Sequence, residues 1–208
     1  DIINSGSGGA TTLTWSIINC GDDTNFVLQT TNIVGEGTVI PSVAISTVQD
    51  PATNNNAAST STTNVVGFDL TDPTVSINNH PGGAIGSCGD PGFQASTDKD
   101  MISYLVSFNE KANGTTFTTQ DITNGGTGGG TTLTWLITDC GDDLNYLLQT
   151  TGIVGDGTII PSLAVSTVQD LAGNDNEAST TTNSTVIYDS SKPTVTVEQH
   201  PGVIVGCV

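Results

Sequence analysis

Acidic and amide side chains in turn-rich segments are the residues of this sequence with the clearest capacity for chemistry. The candidate ligands are Asp69, Asp72, Glu110, Asp170, Asn174 and Asp175. Carboxylate, amide and carbonyl oxygens are the hard ligands that calcium requires, and like charges held together need a cation to offset their repulsion. The alternative is that they are solvated turn residues, since Asp and Asn favour turns for backbone reasons alone. Calcium is therefore the candidate cofactor.

Four cysteines, Cys20, Cys88, Cys140 and Cys207, form the second chemical group. No Cys-x-x-Cys spacing argues for zinc, and paired cysteines in an exported chain indicate disulfides. Two connectivities are open. A Cys88–Cys140 bond would leave the other two cysteines to partners elsewhere, whereas Cys20–Cys88 and Cys140–Cys207 bonds would use all four. We favour the second scheme slightly because it leaves no thiol unpaired.

Groups suited to nucleophilic catalysis are sparse. His80 and His200 are equivalent His-Pro-Gly residues at the end of a predicted strand, and no Gly-x-Ser-x-Gly elbow accompanies the many serines. We expect histidines in such turns to lie at the surface. The sequence therefore predicts a protein that is not an enzyme.

Charge restricts the partners. The 208 residues include 21 acidic and 3 basic side chains, for a formal net charge of −18. Nucleic acids and anionic lipid headgroups would be repelled, so neither is an expected partner.

No apolar run reaches the roughly 18 residues that cross a membrane, and the first residues lack the pattern of a signal peptide. We expect a mature product, or an excised piece of one, located outside the cell or at its surface.

An internal repeat organises these residues. DIINSGSGGATTLTW at 1–15 returns as DITNGGTGGGTTLTW at 121–135, and STVQDPATNNNAAST at 46–60 returns as STVQDLAGNDNEAST at 166–180. The offset is 120 residues throughout, and more than half of the residues in 1–80 recur at the shifted position. A period of this length suits a whole small domain.

The repeat boundaries follow from Pro-Thr-Val at 73–75 and 193–195, because proline favours the first residue of a strand or a linker. We assign 1–72 to the later part of one repeat, 73–192 to a complete repeat and 193–208 to the opening strand of a third. A parent protein with many repeats follows from this division.

Strand patterns fill the complete repeat. Runs separated by Gly, Asn and Asp turns predict seven strands, at 73–79, 101–109, 116–123, 131–139, 145–152, 158–168 and 180–189. No window has a helical period. Seven short strands in about 120 residues are typical of an all-β, antiparallel, immunoglobulin-like β-sandwich, here in tandem. Trp15 and Trp135 lie within strands and are predicted to be core residues.

In such a sandwich alternate connections gather at one pole, which would bring the acidic residues together. The loop after Phe108, the loop at 140–144 and the loop at 170–176 should share the pole that faces the preceding domain. The linker with Asp69 and Asp72 reaches the same pole. We therefore expect the candidate calcium ligands to converge at the junction between consecutive domains.

Short motifs follow a fixed order in the complete repeat. They are the Pro-Thr-Val opening, Gly89-Asp90-Pro91, Phe108-Asn109-Glu110, an Asp-x-Ala-Gly-Asn loop that begins at Asp170, and the closing Tyr188-Asp189. In this order they resemble the bacterial Ig-like tandem repeats of large surface adhesins and biofilm proteins. The resemblance implies an Ig-like sandwich within a long extracellular array.

Two classes of function are consistent with these patterns. One is a structural or adhesive extracellular module that forms a stalk or filament. Its partners would be neighbouring repeats, copies of the chain in a fibre, and cell-surface or matrix ligands. The other is a carbohydrate- or protein-binding module of an exported enzyme. Near-identical consecutive repeats favour the first class, and an aromatic content of only 5% argues against the second.

Overall fold

The protein is all-β, as predicted. A computed structural model describes residues 1–8, 13–92, 94, 96–128, 133–181 and 183–199. Within these ranges the backbone forms short strands and one turn of 3-10 helix at Thr119–Asp121. In the same part of the chain, no helix has the length and apolar character needed to cross a membrane.

The first segment, residues 1–72, contains six described strands. They are β1 (Ile2–Asn4), β2 (Thr14–Asn19), β3 (Phe26–Thr31), β4 (Gly37–Val39), β5 (Pro41–Val43) and β6 (Val66–Phe68). They pair two by two and antiparallel, β1 with β5, β2 with β3 and β4 with β6.

The second segment, residues 73–192, contains nine described strands. They are β7 (Val75–Asn79), β8 (Ser96–Thr97), β9 (Ile102–Phe108), β10 (Ile122–Asn124), β11 (Thr134–Asp139), β12 (Asn145–Thr151), β13 (Gly157–Ile159), β14 (Pro161–Leu163) and β15 (Val186–Tyr188). An antiparallel sheet has the order β11-β12-β9-β7, β15 pairs with β13 and with β8, and β10 pairs with β14. Only the β15–β8 pair is parallel among the described ladders.

Equivalent strands of the two segments pair in the same register. Trp15 lies opposite Thr30 in the β2–β3 pair, and Trp135 lies opposite Thr150 in the β11–β12 pair. The β4–β6 and β13–β15 pairs match in the same way. The sequence offset of 120 residues thus carries a common pattern of strand pairing.

A hydrophobic core lies between the sheets of the second segment, as in a β-sandwich. The four-stranded sheet contributes Val75, Ile77, Ile102, Tyr104, Val106 and Leu148, and the opposite strands contribute Ile159, Leu163, Val186 and Tyr188. The Tyr104 hydroxyl donates a hydrogen bond to the Ile159 carbonyl at 3.1 Å, so the polar group of this fully buried side chain has a partner in the opposite layer.

Three predicted strands are shorter than the sequence pattern indicates. The run 158–168 divides into β13 and β14, and among the described residues of the run 180–189 only β15 is a strand. Residues 116–121 form a turn and the 3-10 helix. There the Asp121 carboxylate accepts hydrogen bonds from the backbone NH and the hydroxyl of Thr118, at 2.7 and 2.9 Å. This cap stabilises the helical turn where threonines alone suggest a strand.

Trp135 lies at the border of the core rather than inside it. The side chain is half-buried and packs against the core cluster, with its ring centroid 6.4 Å from that of Tyr104. β11 is an edge strand of its sheet, so the ring is covered incompletely. Trp15 is also half-buried.

The disulfide scheme favoured from the sequence is wrong for the two cysteines of the second segment. Cys88 and Cys140 are bonded to each other, with Cα atoms 4.9 Å apart. Ser87 NH donates to the Cys140 carbonyl at 2.7 Å, and Gly86 passes so close that an added Cβ would lie 2.2 Å from the same oxygen. Glycine at φ 55° therefore lets the 80–88 segment reach the end of β11.

The remaining cysteines have different outcomes. Cys20 is an exposed free thiol. Cys207 lies outside the described residues. The observed Cys88–Cys140 bond is the first of the two disulfide schemes that the sequence left open.

His80 is buried, contrary to the surface position expected from its turn motif. It follows β7, its side chain is 0% exposed, and Nδ1 accepts a hydrogen bond from Gly82 NH at 3.2 Å. Burial lowers the pKa of His80, and the nearby Asp90 carboxylate offsets this only in part. The imidazole is therefore held neutral inside the fold. His200 is outside the described residues.

Candidate metal centre between the two segments

A cleft lies where the first segment meets the second. Its volume is about 760 Å³. The lining residues are Glu36, Gly37, Thr38, Gly67, Phe68 and Asp69 from the first segment, with Glu110, Lys111, Asp170, Leu171 and Ala172 from the second. Both segments therefore contribute backbone and acidic side chains to one site.

Three carboxylates, those of Asp69, Glu110 and Asp170, converge in this cleft and are called the acidic triad below. One oxygen of each lies within 4.8 Å of the others. Asp69 follows β6, Glu110 follows β9, and Asp170 lies in the loop between β14 and β15. The triad could hold a metal ion, as the sequence predicted for these three residues.

Asp170 is fixed by its own loop. One carboxylate oxygen accepts hydrogen bonds from the backbone NH groups of Ala172, Gly173 and Asn174, at 2.8, 2.6 and 2.8 Å. Gly173 has φ 97°, a left-handed conformation that glycine adopts without steric cost. An isolated antiparallel β-bridge between Ala112 and Asp170 connects this loop to the stretch that follows β9. The Asp-x-Ala-Gly-Asn motif thus presents a preorganised carboxylate.

Asn174 joins the loop to the linker. Its side-chain NH₂ donates to the second Asp170 carboxylate oxygen at 2.8 Å and to the Asp69 carbonyl at 3.2 Å. The amide therefore borders the acidic triad and holds two of its members in place.

The electrostatics of the triad are unfavourable without a cation. Burial raises the pKa of Glu110, and the charges of Asp69 and Asp170 raise it further. Burial also raises the pKa of Asp170, but hydrogen bonds from the Asn174 side chain and from backbone NH groups outweigh it, so the net shift is downward. Asp170 is thus stabilised as an anion beside Glu110.

Neighbouring cations do not relieve this repulsion. Lys111 lines the cleft, but its Nζ contacts the Asp143 carboxylate at 3.3 Å. The other ion pair found in the described residues joins Lys99 to Asp98. A bound ion would therefore supply the missing positive charge.

Besides Asn174, two candidate ligands lie outside the triad. The Asp175 side chain is exposed and accepts a hydrogen bond from Gln169 Nε2 at 3.0 Å. Asp72 is exposed in the linker. Neither side chain belongs to the group of carboxylates that converges in the cleft.

Glu36 is a cleft residue that sequence reasoning missed. Its carboxylate accepts a hydrogen bond from the Thr71 hydroxyl and so joins the β3–β4 turn to the linker. The equivalent Asp156 binds Ser190 and Ser191 in the same manner. One sequence pattern could have indicated Glu36: an acidic residue recurs between two glycines, in Gly-Glu-Gly at 35–37 and in Gly-Asp-Gly at 155–157.

No family model, curated protein or solved structure matches this chain.

Proposed function

We propose that the chain is a non-catalytic structural module of an extracellular stalk or filament, in which calcium joins consecutive Ig-like repeats. The observation that carries this proposal is the composition of the acidic triad. Asp69 comes from the first segment, whereas Glu110 and Asp170 come from the second. An ion shared by these residues would fix one repeat relative to the next.

The donor set favours calcium over other common ions. Calcium binds oxygen ligands at 2.3–2.6 Å, so two ligands of one ion lie up to about 5 Å apart, in keeping with the triad. Zinc prefers His and Cys, neither of which belongs to the triad. Magnesium demands a near-ideal octahedron, whereas calcium tolerates the irregular mixture of carboxylates, backbone and water that an open cleft offers.

Two further properties support an extracellular structural role. The Cys88–Cys140 disulfide is typical of proteins from oxidising compartments. The net charge of −18 opposes nonspecific aggregation and attracts divalent cations.

The alternative role as a carbohydrate-binding module has less support. Among the exposed large apolar side chains of the described residues, Phe26 is the sole aromatic. Stacking on sugar rings generally uses several such groups on one face.

Thermal unfolding in a calcium titration tests the proposal. We expect calcium to raise the Tm of the natural chain, because a ligand that binds only the folded form stabilises it by about 2.7 kcal/mol at a hundred times its Kd. Glu110→Gln should lose most of this gain. Asp175→Asn, which removes an equal charge from the same pole but outside the triad, should keep it. Equal calcium shifts in both variants, or none in the natural chain, would refute the triad as the site.

A further inference from the structure

A second concave site, called the tyrosine pocket below, lies within the second segment. Its volume is about 400 Å³, which falls in the range of small-ligand sites. It forms where the stretch between β9 and β10 meets β11 and β12. The lining residues are Gly114, Phe117, Thr118, Thr119, Leu136, Ile137, Asp139, Asp143 and Tyr146. None of them lines the cleft that holds the acidic triad, so the two sites are separate.

The Tyr146 hydroxyl is a buried polar group without a partner. The side chain is only 3% exposed, and its ring packs edge-to-face against Phe108 and Phe117, with centroids 5.9 and 5.1 Å away. Among the described residues, no group forms a hydrogen bond with the hydroxyl oxygen. Such a group lowers stability, whereas phenylalanine, which stands at the equivalent position 26, would pack the same ring without that cost. The hydroxyl therefore serves something other than packing.

The hydroxyl reaches the wall of the pocket at Gly114. A Cβ added to this glycine would lie 3.6 Å from the Tyr146 hydroxyl oxygen, and it would meet no other atom of the described structure within 4 Å. The turn is fixed by Asn113, whose side-chain oxygen accepts hydrogen bonds from the Thr115 NH and hydroxyl at 3.2 and 2.7 Å. The glycine thus leaves the hydroxyl uncovered on the side that faces the pocket.

The electric field at this hydroxyl is negative. Burial raises the pKa of Tyr146 to about 12, and the charges of Asp139, Asp143 and Asp142 contribute to the shift. Asp139 is held by its loop, because one carboxylate oxygen accepts hydrogen bonds from the Gly141 and Asp143 NH groups at 2.9 and 3.3 Å. These charges favour a ligand that is a cation and a hydrogen-bond donor, and they disfavour an anion.

Lysine side chains neutralise only part of this charge. Lys111 Nζ lies 3.3 Å from the Asp143 carboxylate. The other ion pair of the described residues joins Lys99 to Asp98, so Asp139 has no cationic partner there. The pocket therefore keeps one carboxylate that a bound cation would neutralise.

The remaining wall of the pocket is apolar. Phe117, Leu136 and Ile137 line it, and Leu136 is 57% exposed although it lies in a strand. An apolar chain placed against these side chains would be removed from water. The site thus combines a negative polar end with an apolar wall.

We infer that the tyrosine pocket binds a primary ammonium group carried on a short alkyl chain, the chemistry of a lysine side chain. The ammonium donates hydrogen bonds to the Tyr146 hydroxyl oxygen and to the Asp139 carboxylate, while the alkyl chain lies against Leu136 and Ile137. This binding site goes beyond the proposed structural role and does not require calcium.

Other ligand classes fit the pocket less well. A guanidinium group prefers two parallel hydrogen bonds to one carboxylate, whereas an ammonium group uses separate acceptors such as one hydroxyl and one carboxylate. A sugar ring needs an exposed aromatic face, but Phe117 and Tyr146 are only 5% and 3% exposed. A metal ion would leave the apolar wall unused.

The first segment provides a natural contrast. Ser16, Asn19 and Phe26 stand where Leu136, Asp139 and Tyr146 stand in the second segment. The first segment therefore lacks the apolar side chain, the carboxylate and the hydroxyl that the inferred site uses. Binding should be confined to the second segment, and the equivalent loop of the first segment serves as an internal control.

An NMR titration of the ¹⁵N-labelled natural chain in EDTA, at constant ionic strength, tests the site. The probe is Nα-acetyl-lysine N-methylamide, and the matched control is the norleucine analogue, which has the same alkyl chain without the ammonium group. The probe should produce saturable shifts at the Gly114 and Ile137 amides and none at Gly21 in the first segment. Absence of saturable shifts, or equal shifts with the norleucine compound, overturns the inference.

Two substitutions test the hydrogen bonds. Tyr146→Phe should raise the Kd of the lysine probe about tenfold, because it removes a hydrogen bond to a charged group. Its Tm without ligand should be at least that of the natural chain, since the hydroxyl has no partner there. Asp139→Asn, which introduces the residue found at position 19, should raise the Kd about threefold. Asp72→Asn removes an equal charge from the linker and is the control. An unchanged Kd in Tyr146→Phe overturns the inference.

A comparison of amines identifies the source of the ammonium group. Tighter binding of 1,5-diaminopentane than of the lysine probe supports the site as one for free amines. The reverse order supports it as one for a lysine side chain of a partner protein. Binding of neither compound overturns the site. Because calcium is absent throughout, these results are independent of the acidic triad, which the calcium titration tests separately.

Discussion

Glu110 is a carboxylate whose negative charge is unfavourable in the folded protein. Its pKa is raised by burial and by the charges of Asp69 and Asp170. When the pKa of a carboxyl group is higher in the folded state than in the unfolded state, its ionisation opposes folding. The free energy of unfolding therefore falls as the pH rises above the pKa of the unfolded state. A cation in the cleft would reverse this effect, which makes Glu110 a sensitive probe of the site.

Removing this charge has a defined consequence in the absence of metal. In EDTA at pH 7, Glu110→Gln should be at least as stable as the natural chain, because the repulsion within the triad is relieved. The difference should shrink as the pH falls toward the unfolded glutamate pKa of about 4.3, because the carboxyl group becomes increasingly protonated in both states. Thermal unfolding between pH 4 and 8 measures this. Clear destabilisation by Glu110→Gln in EDTA at pH 7 would show that the carboxylate is not under repulsion.

His80 adds a second, independent pH dependence. Its pKa is lowered by burial, so the folded state binds the proton less readily than the unfolded state. Stability should therefore be full above the unfolded pKa of about 6.5 and should fall as the pH drops from there. His80→Gln should be less stable at neutral pH and should lose the slope between pH 7 and 5, measured by urea unfolding. A slope that persists in the variant would assign it to other groups.

At the scale of single elements, the loop that carries Asp170 has a close relative in the first segment. Asp50 accepts hydrogen bonds from the Ala52 and Asn54 NH groups at 2.9 and 2.8 Å, and Thr53 occupies the glycine position with φ 69°. A β-branched residue in this conformation is strained. The two loops therefore form a natural pair for substitution.

Exchanging these residues should have opposite effects. Thr53→Gly should stabilise the first segment by about 1 kcal/mol, and Gly173→Thr should destabilise the second by about 1–2 kcal/mol. Amide hydrogen exchange separates the two segments. The same sign of change at both positions would contradict the backbone explanation.

The Cys88–Cys140 disulfide fastens an otherwise irregular segment. Replacing both cysteines by serine should cost about 2–4 kcal/mol, since the bond restricts the unfolded chain. Urea unfolding under non-reducing conditions measures this loss. Cys20→Ser, which removes an exposed thiol, should leave stability unchanged. A loss below about 1 kcal/mol in the double variant would indicate that the 80–88 segment is held mainly by other contacts.

How much of this architecture the sequence reveals depends on the kind of signal. Period-2 patterns and turn residues identified the β strands, and the expected gathering of alternate loops at one pole of a sandwich located Asp69, Glu110 and Asp170. The direction of individual side chains was not predictable, so Asp72 and Asp175 were included without reason to separate them. Cysteine pairing and the burial of His80 depend on the path of the chain just after β7, where turns without strand periodicity give no direction to predict.

At the scale of the whole molecule, the junction between the segments is the feature that matters most for the proposed role. A chain with 21 acidic and 3 basic side chains carries strong repulsion along its length. Repulsion alone would extend the chain without fixing an angle between repeats. An ion bound by both segments would fix that angle.

Small-angle X-ray scattering with calcium and with EDTA tests the central claim most directly. Data are collected over a series of protein concentrations and extrapolated to zero concentration, with ionic strength matched by sodium chloride so that screening is equal. The account predicts a longer and more narrowly distributed maximum dimension in calcium, and no such change when Glu110→Gln is added. Identical scattering in calcium and in EDTA would contradict it.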